Sequence, residues 1–489
     1  MVVGTTSHAG KSMLTAVICR ILKRQGFRVC PFKGQNMALN AYVTQDGLEM
    51  GHAQAVQAWA AGVDPQVTMN PILLKPQGNM TSQVIIQGRP VGQVQAADYY
   101  RDYFERGWAA IVDSLAVLQT EYDMIVCEGA GSPAEINLKH RDLTNMRVAK
   151  HLNAPTLLVA DIDRGGVFAH IVGTLELLDP DERALIRGFV INKFRGQKSL
   201  LDSGLTWLEE RTGIPVVGVI PWIDQVFPSE DSLSLLERPA RGETRDITIA
   251  IIRLPRVANF TDFDPLDAEP TVQVRYIQPG QSLGNPDAVI LPGSKTTIAD
   301  LQTLHASGMA NQIRDYAQAG GMVLGICGGF QMLGEAIADP DGMEGVPGTF
   351  PGLGLLPLST TMQADKITQQ RTIQTCAVNH LSQFRAGEEV RGYEIHQGQT
   401  DYLSNSDLVP LFSDPALGVV SKGDRVMGTY LHDLFSNGIW RRMWLNELRQ
   451  HKNLRPLSLE IPDYAQQRDE VLDQITDAVA PYLDLTPFL

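Results

Sequence analysis

Hydrophobic positions in the first half of the chain occur as short runs rich in β-branched residues, and stretches with helical spacing separate them. The runs lie at 28–32, 124–127, 156–160, 188–191 and 216–220. Buried strands that alternate with helices are typical of a parallel sheet whose faces are covered by helices. A further strand at 1–3 would be unusually short, so we expect a misplaced start codon or a few missing residues.

A second pattern of the same kind follows, with apolar runs at 247–253, 272–276, 288–291 and 322–326. Between the two patterns, residues 237–246 (ERPARGETRD) are charged, contain Pro and Gly and have no apolar period, which indicates a linker. The chain beyond residue 441 has helical spacing. The sequence therefore predicts an α/β domain over 1–236, a linker over 237–246, a second α/β domain over 247–440 and a helical C-terminal extension over 441–489.

Composition narrows the class of protein. A length of 489 residues predicts roughly two or three domains, and 44% hydrophobic with 20% charged residues is typical of a soluble globular protein. The formal net charge of −14 argues against a nucleic-acid partner, whose binding surface would be basic. Five cysteines without Cys-x-x-Cys spacing, no membrane-length apolar segment and no signal-peptide pattern favour a cytoplasmic protein.

A phosphate-binding loop is predicted at the start of the chain. Residues 4–12 read GTTSHAGKS, so Gly10, Lys11 and Ser12 supply the turn, the phosphate-binding cation and the metal-binding hydroxyl. The leading Gly4 stands one residue earlier than the common motif requires. A helix predicted over 12–25 would direct its N-terminal dipole at the phosphate. The segment therefore indicates a nucleoside triphosphate site.

Carboxylates for magnesium are expected near this loop, since the metal usually takes one or two from the protein and further oxygens from phosphate. We predict Ser12, Asp46 and Glu128 as its ligands. Glu128 follows the apolar run 124–127, at the strand edge where ligands bind in open α/β sheets, whereas Asp46 lies in a polar loop. Asn192, directly after the run 188–191, is a candidate for the edge of the nucleobase, although Asn is also common at turns.

A cysteine nucleophile is predicted in the second domain. The segment 325–329 (GICGG) joins an expected strand to an expected helix over 328–338, and its small residues permit the sharp turn that exposes a nucleophile at a helix N-terminus. That position favours the thiolate. The oxyanion formed after attack needs two N–H donors, and Gly328 and Gly293 are our candidates. The other cysteines lack such flanks.

The cysteine also needs a base. His432 follows the apolar run 426–431 and precedes a helix expected near residue 434, so it lies at a strand end. His396, in the segment GYEIHQG, is the second candidate. The pairing with a cysteine elbow favours His432.

Taken together, these motifs resemble the cobyric acid synthase family (CobQ type) of glutamine-hydrolysing amide synthases. The segments that carry the resemblance are 4–12, 31–37 (PFKGQNM), 70–76 (NPILLKP), 127–138 (CEGAGSPAEINL) and 259–264 (NFTDFD). They extend over essentially the whole chain. The resemblance implies an N-terminal domain similar to dethiobiotin synthetase and a C-terminal class I glutamine amidotransferase domain.

The resemblance also implies the chemistry. Family members use ATP, Mg²⁺ and glutamine to amidate the b, d, e and g carboxylates of adenosylcobyrinic acid a,c-diamide. A carboxylate-rich corrinoid needs basic contacts, for which Lys33, Lys75 and Lys139 are candidates, and Asp142 is a candidate for orienting substrate or metal. Most class I glutaminases have a glutamate two positions after the histidine, where this chain has Leu434. The orientation of the imidazole is therefore unexplained by the sequence.

Two alternatives stay open at this point. One is the sister amidase that acts on the a and c carboxylates of cobyrinic acid, against which the segments 32–37 and 259–263 argue. The other is a ParA/MinD-like ATPase switch with an inactive second domain, for which a degenerate elbow would be expected. No nucleic-acid or membrane partner is expected, and a homo-oligomer is left open.

Overall fold

The computed structural model describes residues 1–78, 80–223, 245–403, 407–423 and 425–489. The predicted linker over 237–246 lies largely outside these residues, since only 245 and 246 are described. No helix in the described part of the chain is both long and apolar enough to cross a membrane.

The strands follow one another along the whole chain. They are β1 (Val2–Gly4), β2 (Val29–Phe32), β3 (Gln35–Met37), β4 (Ala41–Val43), β5 (Glu49–Gly51), β6 (Ile72–Gly78), β7 (Thr81–Ile86), β8 (Arg89–Gln95), β9 (Met124–Cys127), β10 (Thr156–Asp161), β11 (Ile186–Phe194), β12 (Val216–Pro221), β13 (Ile247–Ile252), β14 (Val257–Ala258), β15 (Val272–Ile277), β16 (Ala288–Leu291), β17 (Gly293–Ser294), β18 (Met322–Ile326), β19 (Ala336–Asp339), β20 (Gly348–Pro351), β21 (Leu358–Gln374), β22 (Glu389–Tyr402), β23 (Leu408–Pro410), β24 (Gly418–Ser421) and β25 (Val426–Thr429).

Helices alternate with these strands. They are α1 (Lys11–Arg24), α2 (His52–Ala61), α3 (Ala96–Glu121), α4 (Met146–Leu152), α5 (Val167–Leu177), α6 (Pro180–Arg183), α7 (Asp202–Thr212), α8 (Asp264–Asp267), α9 (Thr297–Ala306), α10 (Met309–Gln318), α11 (Gly328–Leu333), α12 (Gly438–His451) and α13 (Tyr464–Val479). The predicted α/β class is confirmed.

The chain forms two compact units, and neither is a single continuous segment. The first contains residues 1–38, 49–228 and 468–489, and the second contains residues 39–48 and 229–467, as far as these ranges are described. The predicted domain boundaries remain a prediction.

The first unit is built on a parallel sheet in the order β2-β9-β1-β10-β11-β12. The link between β9 and β1 is the bridge between Val2 and Glu128. Residues of β10 are all buried, as expected for a strand covered by helices on both faces. A second sheet, β3-β6-β7-β8, contains the antiparallel strands β6 to β8. The parallel order brings β1, β9 and β10 to one carboxyl edge, where the phosphate loop begins.

The second unit is built on a sheet in the order β15-β13-β16-β18-β25-β24-β23. Its strands are parallel as far as β25, and β24 and β23 are antiparallel additions. The long hairpin β21–β22 belongs to a separate sheet with β19 and β20. Strands β18 and β25 are direct neighbours, so the residues that follow them meet at the same edge of the sheet.

Element boundaries differ from prediction mainly after the cysteine. The helix expected over 328–338 ends at Leu333, and β19 begins at Ala336. Gly334 has extended backbone, and a Cβ there would lie 2.7 Å from the Leu358 carbonyl oxygen. The second half of that predicted helix was therefore wrong, because close packing on β21 diverts the chain.

Candidate active sites

Cys327 occupies the sharp turn between β18 and α11. Its backbone has φ 53° and ψ −111°, a strained conformation for a residue with a side chain. The turn requires glycines around it, because a Cβ on Gly329 would lie 2.0 Å from the Leu291 carbonyl oxygen. The Sγ atom lies 3.6 Å from the Ile395 carbonyl oxygen of β22. This is the geometry of a nucleophile elbow.

His432 follows β25 at the same sheet edge and is 1% exposed. A Cβ built on Gly293 would lie 3.3 Å from His432 Cε1 and 3.8 Å from Cys327 Cβ, so histidine and cysteine flank the same glycine. The Nδ1 atom lies 2.7 Å from Asp262 Oδ2. Within the described residues, the buried Nε2 atom has no hydrogen-bond partner. The arrangement leaves Nε2 for proton transfer at the sulfur.

Asp262 supplies the orientation that the sequence left unexplained. Its Oδ1 accepts a hydrogen bond from the Asp433 N–H at 2.9 Å while its Oδ2 faces the imidazole, so the carboxylate is fixed at both oxygens. Leu434, at the usual position of the acidic residue, is a buried apolar side chain. The signal for Asp262 was its presence in the segment NFTDFD, but a separation of 170 residues from the histidine concealed its role.

The protonation of His432 follows from these neighbours. Burial is the largest single influence and lowers the pKa of the imidazole, but the charges and hydrogen bonds of Asp262 and Cys327 together raise the pKa to about 10. His432 therefore carries a proton at neutral pH. A cation beside a cysteine favours the nucleophilic thiolate.

The candidate oxyanion donors lie beside the elbow. Gly328 begins α11, and a Cβ there would lie 3.0 Å from the Ser294 nitrogen. Gly293 pairs with Ala258 in the β14–β17 ribbon, and the Lys295 N–H donates to the Arg256 carbonyl at 3.0 Å. Because hydrogen-bonded pairs alternate in an antiparallel ladder, the Gly293 N–H is directed at Ala258 and the Ser294 N–H points to the other side. Ser294 is therefore a donor candidate that the sequence did not suggest.

His396, the second candidate for the base, has different partners. Its Nε2 lies 3.3 Å from Glu394 Oε2, and its ring stacks on Tyr430 at a centroid distance of 3.7 Å. Glu394 also lies 3.3 Å from the Arg371 Nε atom. The contacts with Asp262 and with the glycine beside Cys327 favour His432.

The phosphate loop joins β1 to α1. Gly10 has φ 97°, and a Cβ there would lie 2.1 Å from Asn192 Nδ2, which donates to the Ala9 carbonyl at 2.9 Å. Lys11 Nζ donates to the carbonyls of Thr6 and Gly131 at 3.0 and 2.9 Å. Asn192 thus fixes the backbone of the loop, and Lys11 lies folded over it.

Glu128 is the centre of a buried network beside the loop. Its Oε1 accepts from Ser12 Oγ at 2.8 Å and from Lys33 Nζ at 3.2 Å, and its Oε2 accepts from Gln57 Nε2 at 2.5 Å. The structure therefore brings together Ser12 and Glu128, two of the predicted metal ligands. Among the described residues, no group of three or more His, Cys, Asp and Glu is arranged to hold a metal. A hydroxyl with one carboxylate fits a magnesium ion that also takes phosphate oxygens.

The remaining predicted residues have other surroundings. Asp46 is exposed and belongs to the second unit, whereas Ser12 and Glu128 belong to the first. Lys75 is buried in an ion pair with Glu49, with 2.6 Å between Nζ and Oε1.

Lys139 and Asp142 also contact groups of the protein itself. Lys139 Nζ lies 2.8 Å from Asp179 Oδ2 and 2.7 Å from Glu182 Oε2. The Asp142 carboxylate accepts backbone N–H groups of Thr144, Asn145 and Arg147, at 2.7 to 3.0 Å, ahead of and within the first turn of α4. Asp142 therefore has a local structural role.

Comparison with protein families gives one match for each half of the chain. Residues 1–235 match the CobQ/CobB/MinD/ParA nucleotide binding domain. Residues 248–440 match the CobB/CobQ-like glutamine amidotransferase domain.

Relatives match along the full length. Proteins named cobyric acid synthase are 70% identical in Acaryochloris marina and 64% identical in Synechococcus elongatus, each covering 100% of this chain and 99% of the relative. Among solved structures, PurLQS from Thermotoga maritima matches 49% of this chain and 100% of its own, at 16% identity and a TM-score of 0.31.

Proposed function

Because this chain belongs to the cobyric acid synthase family of ATP-dependent glutamine amidotransferases, we propose that it amidates the b, d, e and g carboxylates of adenosylcobyrinic acid a,c-diamide. The observation that carries the proposal is the convergence of Cys327, His432 and Asp262 at one sheet edge, in a chain that also has a phosphate loop. Glutamine would supply the nitrogen, and ATP would activate the carboxylate.

We infer that ammonia is released at Cys327. The thiolate attacks the side-chain amide carbon of glutamine, and the C–N bond breaks as His432 gives its proton to the leaving nitrogen. Water then hydrolyses the thioester to glutamate and regenerates the thiolate. The N–H groups of Gly328 and Ser294 would donate to the oxyanion in both steps, because the Gly293 N–H is directed at Ala258.

We infer that carboxylate activation occurs at the phosphate loop. A corrinoid carboxylate oxygen attacks the γ-phosphorus of ATP, ADP leaves, and ammonia displaces phosphate from the resulting acyl phosphate to form the amide. Lys11 would neutralise charge on the phosphoryl group. Ser12 and Glu128 would hold Mg²⁺, which supplies further charge neutralisation. Asp46 as a ligand and Asn192 as a nucleobase contact remain predictions.

The network around Glu128 suggests a different role for Lys33 from the corrinoid contact that the sequence suggested. Its Nζ is buried beside Glu128, which also binds Ser12 of the phosphate loop. We infer that Lys33 acts on phosphate oxygens. Lys75 and Lys139 face carboxylates of the protein, so a corrinoid role for either would require these ion pairs to open.

The test is turnover with glutamine, ATP and adenosylcobyrinic acid a,c-diamide, followed by mass spectrometry of the corrinoid. Each amidation replaces a carboxylate oxygen by nitrogen, so the expected product series ends when the b, d, e and g groups are all amides. Cobyrinic acid serves as the control substrate. Amidation of cobyrinic acid at a and c, with no reaction of the a,c-diamide, would overturn the proposal in favour of the sister amidase.

A further inference from the structure

A segment of the N-terminal half of the chain belongs structurally to the second unit. Residues 39–48, here called the arm, contain β4 and lie in that unit, whereas residues up to Ala38 and from Glu49 onward lie in the first. The arm begins one residue after the segment PFKGQNM (31–37), which is one of the motifs that carried the family resemblance. Apart from Asp46, which stays a predicted metal ligand, the arm has no role in glutamine hydrolysis or phosphate binding as described above.

The arm first contacts the turn that carries Asp262. The Ala41 N–H donates to Asn259 Oδ1 at 3.0 Å, and the Phe260 N–H donates to Asn40 Oδ1 at 2.9 Å. An asparagine side chain of each segment therefore accepts a hydrogen bond from the backbone of the other. Both asparagines are almost fully buried. Asn259 has a left-handed backbone with φ 53° and begins the 3₁₀ turn Phe260–Phe263. The arm therefore fixes the start of the turn from which Asp262 reaches His432.

The second contact leads to the histidine itself. The Tyr393 hydroxyl donates to the Ala41 carbonyl oxygen at 3.0 Å. The Tyr393 ring is stacked on the His432 ring, with 5.3 Å between centroids and 18° between planes. The two residues also exchange backbone hydrogen bonds, at 2.9 Å from the His432 N–H and 3.3 Å from the Tyr393 N–H.

The imidazole is thus fixed on two sides. Asp262 binds its Nδ1 edge, Tyr393 covers one face, and both supports are tied to Ala41 of the arm. Burial, followed by the charge of Asp262, raises the pKa of Tyr393 well above its ordinary value, so the hydroxyl stays a donor at physiological pH. An aromatic face also stabilises a protonated imidazole.

We propose that Tyr393 is a positioning residue for the base His432, and that the arm completes the glutaminase site by anchoring the Tyr393 hydroxyl and the Asn259 turn. The role in glutamine hydrolysis rests on the function proposed above. The contacts themselves do not, because they concern the orientation of His432 beside Cys327 in the free protein.

The central variant is Tyr393→Phe in the full chain, which keeps the stacked ring and removes only the hydroxyl. The matched control is Tyr402→Phe, at the other end of the same strand β22. The Tyr402 hydroxyl donates to the Pro415 carbonyl oxygen at 2.5 Å. We expect Tyr393→Phe to lower kcat for glutamine hydrolysis about tenfold, with unchanged KM and unchanged ammonium-dependent amidation. Tyr402→Phe should match the wild type.

Alkylation of Cys327 by iodoacetamide, located by peptide mass spectrometry, provides a readout that needs no glutaminase activity. Tyr393→Phe should slow the reaction and change its pH profile, and Tyr402→Phe should not. If Tyr393→Phe fails to fold, Asn40→Ala is the second variant. It removes the hydrogen bond from the Phe260 N–H to the arm, and it should likewise slow alkylation and change its pH profile. Equal behaviour of the two tyrosine variants, or parallel loss of ammonium-dependent synthesis, would overturn the proposal. A wild type that is alkylated as expected but hydrolyses no glutamine would contradict the proposed function alone.

Discussion

The two candidate sites of this chain differ in which hydrogen-bond partners their charged side chains have within the protein. At the cysteine elbow, Asp262 fixes one nitrogen of His432, and the other nitrogen has no hydrogen bond within the described residues. At the phosphate loop, Lys11 contacts backbone carbonyls and Glu128 binds Ser12, Lys33 and Gln57. At the first site the candidate proton-transfer groups are already positioned, whereas at the second site Lys11 binds backbone carbonyls and the other polar side chains bind one another.

The difference agrees with the chemistry that we propose for each site. Attack on an amide needs a base and nucleophile held in place before the substrate arrives, because preorganisation lowers the barrier. Phosphoryl transfer needs cations and hydroxyls that exchange their protein partners for phosphate oxygens and metal. Substitutions in the second unit should therefore impair the chemistry of ammonia release, and substitutions at the loop should impair nucleotide binding.

Cys327→Ala should give the largest effect. Without the sulfur no thioester can form, so glutamine hydrolysis should fall by at least ~10³-fold. Free ammonium should still support amidation, because the loop lies in the other unit. A folded variant that ammonium cannot rescue would show that the two half-reactions are not separable.

Lys11→Ala tests the second site. Loss of the cation should reduce synthesis by about 10²- to 10³-fold with either glutamine or ammonium, and should abolish magnesium-dependent ATP binding in a titration. Lys23→Ala, an exposed lysine on the same helix α1, is the matched control and should bind ATP normally. Basal glutamine hydrolysis should survive. If the wild type itself shows no ATP binding, with or without corrinoid, the phosphate-loop assignment is wrong.

His432→Ala should slow thioester formation by roughly 10² to 10⁴, the range for a positioned base. His396→Ala should do less, since its ring nitrogen contacts Glu394 and its ring stacks on Tyr430. Rapid-quench measurement of the thioester distinguishes the two histidines. The reverse ranking would assign the base to His396.

Sequence patterns predicted features that depend on neighbouring residues. The strand-to-helix turns at Lys11 and Cys327 were correctly located because glycines next to a nucleophile or lysine are a local requirement of the backbone. The strand end before His432 was found in the same way. These positions define most of the fold class and where the candidate sites lie.

Contacts between distant segments could not be predicted in the same manner. Asp262 reaches His432 across 170 residues, and the arm reaches Asn259 across 218. Lys33 and Lys75 were candidates for contacts with the corrinoid, but each is buried against a carboxylate of the protein. The sequence around a charged residue does not identify its ion-pair partner, because the partner depends on which strands become neighbours in the fold.

The smallest predicted effect concerns stability, and it tests the Asp262–His432 pair without substrate. The folded protein raises the pKa of His432 from 6.5 to about 10. The folded state therefore holds this proton more tightly than the unfolded chain does. The resulting stabilisation is fully present below about pH 6.5 and is lost as the pH rises through about 10.

Asp262→Asn removes the carboxylate that contributes most to offsetting the cost of burying a charged imidazole. The variant should be less stable than the wild type near pH 6, and the gap in unfolding free energy should narrow by roughly 1–3 kcal/mol on going to about pH 10. Urea unfolding at both pH values measures the gap, with the exposed Asp401→Asn as control. A gap that stays constant or widens with pH would mean that His432 is not held protonated by Asp262.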